Sequence, residues 1–98
     1  MIIRIPRRPG PAKVMMQQAG YYEFQDPRTG EISFVRRLGT QFYPRFHAYI
    51  VEEGDGYRIN MHLDQKQASY EGFIKHSGEY NGPVVEEEAA RLYQAIAG

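Results

Sequence analysis

Two stretches of the chain alternate apolar and polar residues with the period of a β-strand. The first is Arg45-Phe46-His47-Ala48-Tyr49-Ile50-Val51-Glu52; the second is Tyr57-Arg58-Ile59-Asn60-Met61-His62-Leu63-Asp64. Successive strand side chains point to opposite faces, so each stretch carries one apolar and one polar side. Between them lies Glu53-Gly54-Asp55-Gly56, with the Gly and Asp residues that tight hairpin turns favour. Setting Glu52 opposite Tyr57 gives the register. Ile50 then faces Ile59, Ala48 faces Met61 and Phe46 faces Leu63. The other side pairs Val51 with Arg58, Tyr49 with Asn60, and His47 with His62. A slip of one residue would set apolar against polar side chains along the whole hairpin, so the pattern selects this register.

A second hairpin precedes it. Tyr21–Gln25 and Glu31–Arg37 flank Asp26-Pro27-Arg28-Thr29-Gly30, where Asp-Pro opens a turn and Gly supplies the positive φ that closes it. Pairing Gln25 with Glu31 places Phe24 opposite Ile32 and Tyr22 opposite Phe34, again one apolar face. Leu38–Pro44 connects the hairpins into a four-stranded antiparallel sheet, and Gly72-Phe73-Ile74-Lys75 is a candidate fifth strand. An apolar sheet face needs a cover. Residues 83–97 provide it: Pro83 suits the first helical position, with Asn81 or Gly82 as cap. Val85, Ala89, Leu92 and Ile96 recur at helical spacing, and Tyr93 widens their stripe. Glu86, Glu87 and Glu88 read as a solvated run near the helix N-terminus, where the dipole favours negative charge. Glu87 and Arg91, four apart, form an outer pair.

The expected fold is therefore α+β, a single domain over 1–98. Residues 21–64 form the two hairpins, 65–82 a long loop, and 83–97 a C-terminal helix packed on one face of the sheet. Residues 1–13 read as a basic, Pro-rich N-terminal arm, within which 1–5 can add a short edge strand. Residues 14–19 suit one helical turn closed by Gly20.

Charge adds an asymmetry that the pattern does not show. Twelve Lys/Arg balance twelve Asp/Glu. Residues 1–50 nevertheless hold eight Lys/Arg against three acidic groups, and residues 51–98 hold four against nine. Either the basic half presents a face to phosphates, or the halves attract each other within one chain or between chains. The zero net charge favours attraction and makes a homodimer an expected partner arrangement. The chain has no cysteine, which excludes disulfides, thiolate metal sites and cysteine nucleophiles. The N-terminus lacks the apolar stretch of ~7–15 residues of a signal peptide, and no run reaches the ~18 needed to span a bilayer. The expected location is the cytoplasm, with no membrane partner.

Candidate chemistry centres on the histidines. Directly opposed strand residues have Cβ atoms ~4.5–5.5 Å apart, a spacing at which two imidazoles reach one zinc ion with arms of ~2.0–2.1 Å. His47 and His62 are the primary ligands for a divalent metal such as zinc, and His76 and Glu79 the further ligands if the long loop folds over them. Asp64 and Asn60 stand beside the pair, Asp64 as a ligand or as the acceptor that fixes a ring tautomer. A second constellation interleaves charge and flat rings: Arg36, Arg37, Tyr43, Arg45 and Tyr49, a pattern suited to single-stranded nucleic acid. No P-loop, GxGxxG, GxSxG or zinc-finger spacing is present. The first functional reading is thus a small binding or interaction domain, expected to be non-enzymatic, with a polar His47/His62 site for a divalent metal. A single-stranded nucleic-acid-binding module is the second. A His-dependent phosphodiesterase, with Lys66 stabilising the anion, is the third.

Overall fold

The structure, a computed structural model, describes residues 1–65, 78–79 and 82–97. Its elements in chain order are β1 (Ile2–Pro6), α1 (Ala12–Gln18), β2 (Tyr22–Gln25), β3 (Ile32–Arg37), β4 (Arg45–Glu53), β5 (Gly56–Asp64), β6 (Gly78–Glu79) and α2 (Pro83–Ala97). The sheet is antiparallel and runs β1-β5-β4-β3-β2, with β6 also paired to β5. This is an open α+β fold. The candidate strand at 72–75 and the ligand His76 lie outside the described residues. Among the described residues, no helix is long and apolar enough to cross a membrane.

The β4–β5 hairpin has the expected register throughout, from Phe46↔Leu63 to Glu52↔Tyr57, with His47 opposite His62. Its apolar side joins Ile3, Ile5, Tyr57 and Phe34 of the sheet to Met15 and Met16 of α1 and to Val85, Ala89, Leu92 and Ile96 of α2. Ile59, Met61, Val85 and Leu92 are fully buried there. Helices cover this side of the sheet, and the histidines point from the other. Gly56 lies where β1 crosses the turn end: a Cβ built on it would overlap the Ile5 carbonyl oxygen.

The β2–β3 hairpin departs from expectation by one residue. Gln25 pairs with Ile32 and Phe24 with Ser33, not Gln25 with Glu31 and Phe24 with Ile32. Asp26 belongs to the base of the turn and not to its tip. Its carboxylate accepts the Arg28 N–H at 2.8 Å, its carbonyl accepts the Gly30 N–H at 2.7 Å, and its own N–H donates to Glu31 at 2.9 Å. The closing pair becomes Asp26–Glu31, and every side chain of β2 changes its partner. Phe34 stays on the helix side, whereas Tyr22 and Phe24 lie on the side of the histidines.

Within segment 1–13, the short edge strand expected at 1–5 is β1, which pairs with β5 from Ile2↔Asn60 to Pro6↔Gly56. Residues 7–11 carry no helix or strand, and α1 starts at Ala12, two residues before the helical turn expected at 14–19. Alternate burial of Ile3 and Ile5 holds the strand, and Pro6 is tolerated because β1 is at an edge.

The acidic run on α2 also divides. Glu88 is buried, at 5% exposure, because it lies three residues after Val85 and four before Leu92 and so shares their stripe. Its carboxylate accepts from the Tyr21 hydroxyl at 2.6 Å, from Arg91 Nε and Nη2 at 2.8 and 2.9 Å, and from Arg36 Nη1 at 3.3 Å. Arg91 therefore pairs with Glu88, not Glu87. Burial opposes the charge of Glu88, but the bonds from Arg91 and Tyr21 and the charges of Arg36 and Arg91 hold its carboxyl below the usual value. Burial against this carboxylate drives the Tyr21 hydroxyl well above its ordinary pKa. Tyr93, expected to widen the apolar stripe, is 40% exposed.

The charge asymmetry is met inside the chain. Arg4–Glu53, Arg7–Glu52, Arg36–Glu88 and Arg45–Asp64 each join the basic first half to the acidic second.

Candidate metal centre

The site is built by alternation on two paired strands. His62 and Asp64 are two apart on β5 and share a face; His47 and Arg45 stand opposite them on β4. The Asp64 carboxylate is the hub. Its Oδ2 accepts from His47 Nδ1 at 3.0 Å and lies 3.4 Å from Arg45 Nε, and its Oδ1 accepts from His62 Nε2 at 2.8 Å. The two imidazole centroids are 5.0 Å apart, and Tyr49 lies against them at 4.8 Å from His47 and 6.3 Å from His62. Burial alone would raise the Asp64 pKa. The hydrogen bonds from His47 and His62 outweigh it and hold the carboxyl far below the usual range.

β3 adds a residue that no sequence pattern marked. Ser33, 2% exposed, places Oγ 2.7 Å from His47 Nε2. An ionised carboxylate only accepts, so His47 Nδ1 carries the proton toward Asp64; Nε2 shares a hydrogen bond with Ser33 Oγ, whose hydroxyl also reaches the Phe24 carbonyl at 3.5 Å. The order Ser33–His47–Asp64 is that of nucleophile, base and orienting carboxylate in serine hydrolases. Attack needs a substrate carbon within about 3–3.5 Å of Oγ, and a hydroxyl this buried offers no such approach. Ser33 instead fixes the His47 ring. Its link to the histidine depends on the β3–β4 pairing, which sets Val35 opposite His47 across the Leu38–Pro44 connection. The sequence carries no register signal over that connection.

An aromatic wall closes the β3 side. Leu38 and Pro44 are joined by a backbone bond of 3.1 Å, which folds the connection back over β4. Phe42, Phe24 and Tyr43 then surround the Arg45 guanidinium, with centroids at 4.3, 4.9 and 4.8 Å. Arg45 Nη1 is buried and has no hydrogen-bond acceptor among the described residues, and these ring faces take that role. Phe24 also meets His47 edge-on at 6.4 Å.

The residues expected to act together are only partly assembled. His47, His62 and Asp64 converge: one ligand atom from each lies within 4.8 Å of the others. Asp64, expected beside the histidines as ligand or tautomer-fixing acceptor, is thus placed to be a ligand itself. Asn60 shares the face but is exposed, opposite Tyr49. The backbone of Glu79 pairs with Leu63, next to Asp64. The Arg/Tyr set does not form one surface. Arg36 turns toward α2 and Glu88, whereas Arg37 lies on the opposite side over the Tyr22 ring. Arg45, with a side chain 6% exposed, is committed to Asp64 and the three rings. Tyr43 and Tyr49 are half-buried.

Compared with known proteins, the chain matches no family model, no curated protein and no solved structure.

Proposed function

We propose that this domain is a divalent-metal-binding module of the zinc type, with His47, His62 and Asp64 as its protein ligands. The observation that carries this reading is the convergence of the three ligand atoms within 4.8 Å. A tetrahedron with arms of ~2.0–2.1 Å has edges of about 3.4 Å, so modest rotation of the two rings brings the set to bonding distance. The surroundings support it. Two neutral imidazoles and one carboxylate suit zinc and its neighbours. With a metal on Nδ1 of His47, the ring proton moves to Nε2. Ser33 Oγ then accepts it, with the Phe24 carbonyl 3.5 Å away to take the hydroxyl's own proton. Such a bond on the far ring nitrogen is the usual means of orienting a ligating histidine. Three protein ligands also leave a coordination position for an external group, as in sites that bind or transform ligands.

The test is metal uptake by tag-free protein stripped with chelator and dialysed against zinc. One tightly held zinc per chain is expected, abolished by His47→Ala and by His62→Ala while circular dichroism shows the fold intact. Failure of the wild type to retain zinc would remove the proposal.

A further inference from the structure

Among the described residues around the candidate ligands, one charge is left over. Arg45 lies within 3.4 Å of Asp64 and has a side chain only 6% exposed. Packed against Asp64 and three rings, its guanidinium has no route to solvent without breaking those contacts. Without a metal, Arg45 and Asp64 cancel. With a divalent ion on His47, His62 and Asp64, the described groups of the site carry two net positive charges among side chains 6–18% exposed. Buried charge without a counter-charge is strongly disfavoured, and the water-poor aromatic surroundings strengthen every electrostatic interaction there. A neutral water in the open position leaves that excess in place; an anion removes it.

We infer, resting on the metal reading, that the open position takes a small oxyanion, a carboxylate or phosphate group, held by the metal and by the fixed positive charge of Arg45. The aromatic wall of Phe24, Phe42 and Tyr43 keeps that charge in place, and the ligand side chains, 11–18% exposed, are in partial contact with solvent. Arg45 acts through its field and is a positioning residue. It opposes the metal and favours the anion, so its removal has effects of opposite sign on the two. A purely structural role would weaken both.

The experiment uses cobalt(II) as the metal, whose visible bands report both occupancy and ligand exchange. Wild type, Arg45→Lys and Arg45→Met are loaded with cobalt, then titrated separately with acetate and with phosphate. In wild type, at least one anion is expected to shift the bands saturably; which one does so separates the two sources. Arg45→Met should bind that anion at least roughly tenfold more weakly and bind cobalt as tightly as wild type or more so. Arg45→Lys, which keeps the charge, should retain anion binding. Cobalt uptake with no saturable response to either anion overturns the inference and leaves the metal site standing. Unchanged anion affinity in Arg45→Met, or parallel loss of cobalt and anion, overturns it too. Absence of cobalt uptake by wild type removes the metal reading and this inference together. If Arg45→Met does not fold, the wild-type titration and Arg45→Lys decide: no saturation in wild type, or no anion binding in the lysine variant, refutes the field argument.

Discussion

Glu88→Gln is a direct test of how the helix is tied to the sheet. The substitution keeps the shape of the side chain and removes its charge. The carboxylate accepts from Tyr21, Arg36 and twice from Arg91. A carboxamide has one accepting oxygen, and its NH2 must face at least one of those donors. Breaking a buried ion pair from one side costs about 3–5 kcal/mol when the abandoned charge stays buried. Here Arg36 and Arg91 are 34% and 39% exposed and can be rehydrated in place, which relieves part of that cost. A loss of about 2–3 kcal/mol follows, against a total stability of ~5–15 kcal/mol for a domain of this kind. In a domain of this size, each kcal/mol lowers Tm by ~4–8 °C. Glu88→Gln should therefore melt about 10–20 °C below wild type at pH 7. The sign with pH is fixed by the lowered carboxyl pKa. Glu88 stabilises the fold above the unfolded glutamate pKa of ~4.3, and that contribution is lost as pH falls through the lower folded value. Urea titrations from pH 7 down to pH 3 should show the two proteins converging below about pH 4, as wild type becomes protonated like the glutamine variant. Equal stability at pH 7, or a gap that persists undiminished at pH 3, would refute the account of this cluster.

Three further outcomes follow from other parts of the structure. Ser33→Ala should fold normally but bind zinc about 10–100-fold more weakly, because His47 loses the group that orients it; calorimetric titration checks this, and unchanged affinity would assign Ser33 to packing alone. Gly56→Ala should cost roughly 1–3 kcal/mol, since the added Cβ meets the backbone of β1, which cannot yield as a flexible side chain would; urea denaturation reads it. Leu92→Ala, at a fully buried position beneath the sheet, should cost ~2–5 kcal/mol in the same assay.

The sequence disclosed the β4–β5 hairpin completely because every position there agrees with one alternation and one turn. The neighbouring hairpin was harder to place. Ser33, Phe34 and Val35 are consecutive and all buried, so both faces of β3 are covered and alternation no longer tells them apart. With that signal gone, turn chemistry decided, and Asp26 fits either end of the turn until its hydrogen bonds are seen. Proximity of His47, His62 and Asp64 was legible because it needs only one hairpin. Ser33 and the Arg45 cage were not, because they depend on how Leu38–Pro44 returns the chain to the sheet. Arg36 and Arg37 show the same limit. Adjacent in sequence, they read as one basic patch, yet a strand sends neighbours to opposite sides. Glu88 was obscured by Glu86 and Glu87, which make a buried acid resemble part of a wet run.

β3 serves two polar centres that never touch. Its Ser33 steadies the histidine on the open side, and three residues later Arg36 grips the carboxylate beneath α2. An even-odd count along six residues thus couples the two halves of the molecule. Single substitutions on one side should leave the other nearly untouched and combine additively, being separated by the thickness of the sheet. A one-residue insertion or deletion between these positions would be different in kind. It would turn one of the two side chains to the wrong side, so β3 tolerates exchange of residues far better than any change in their number.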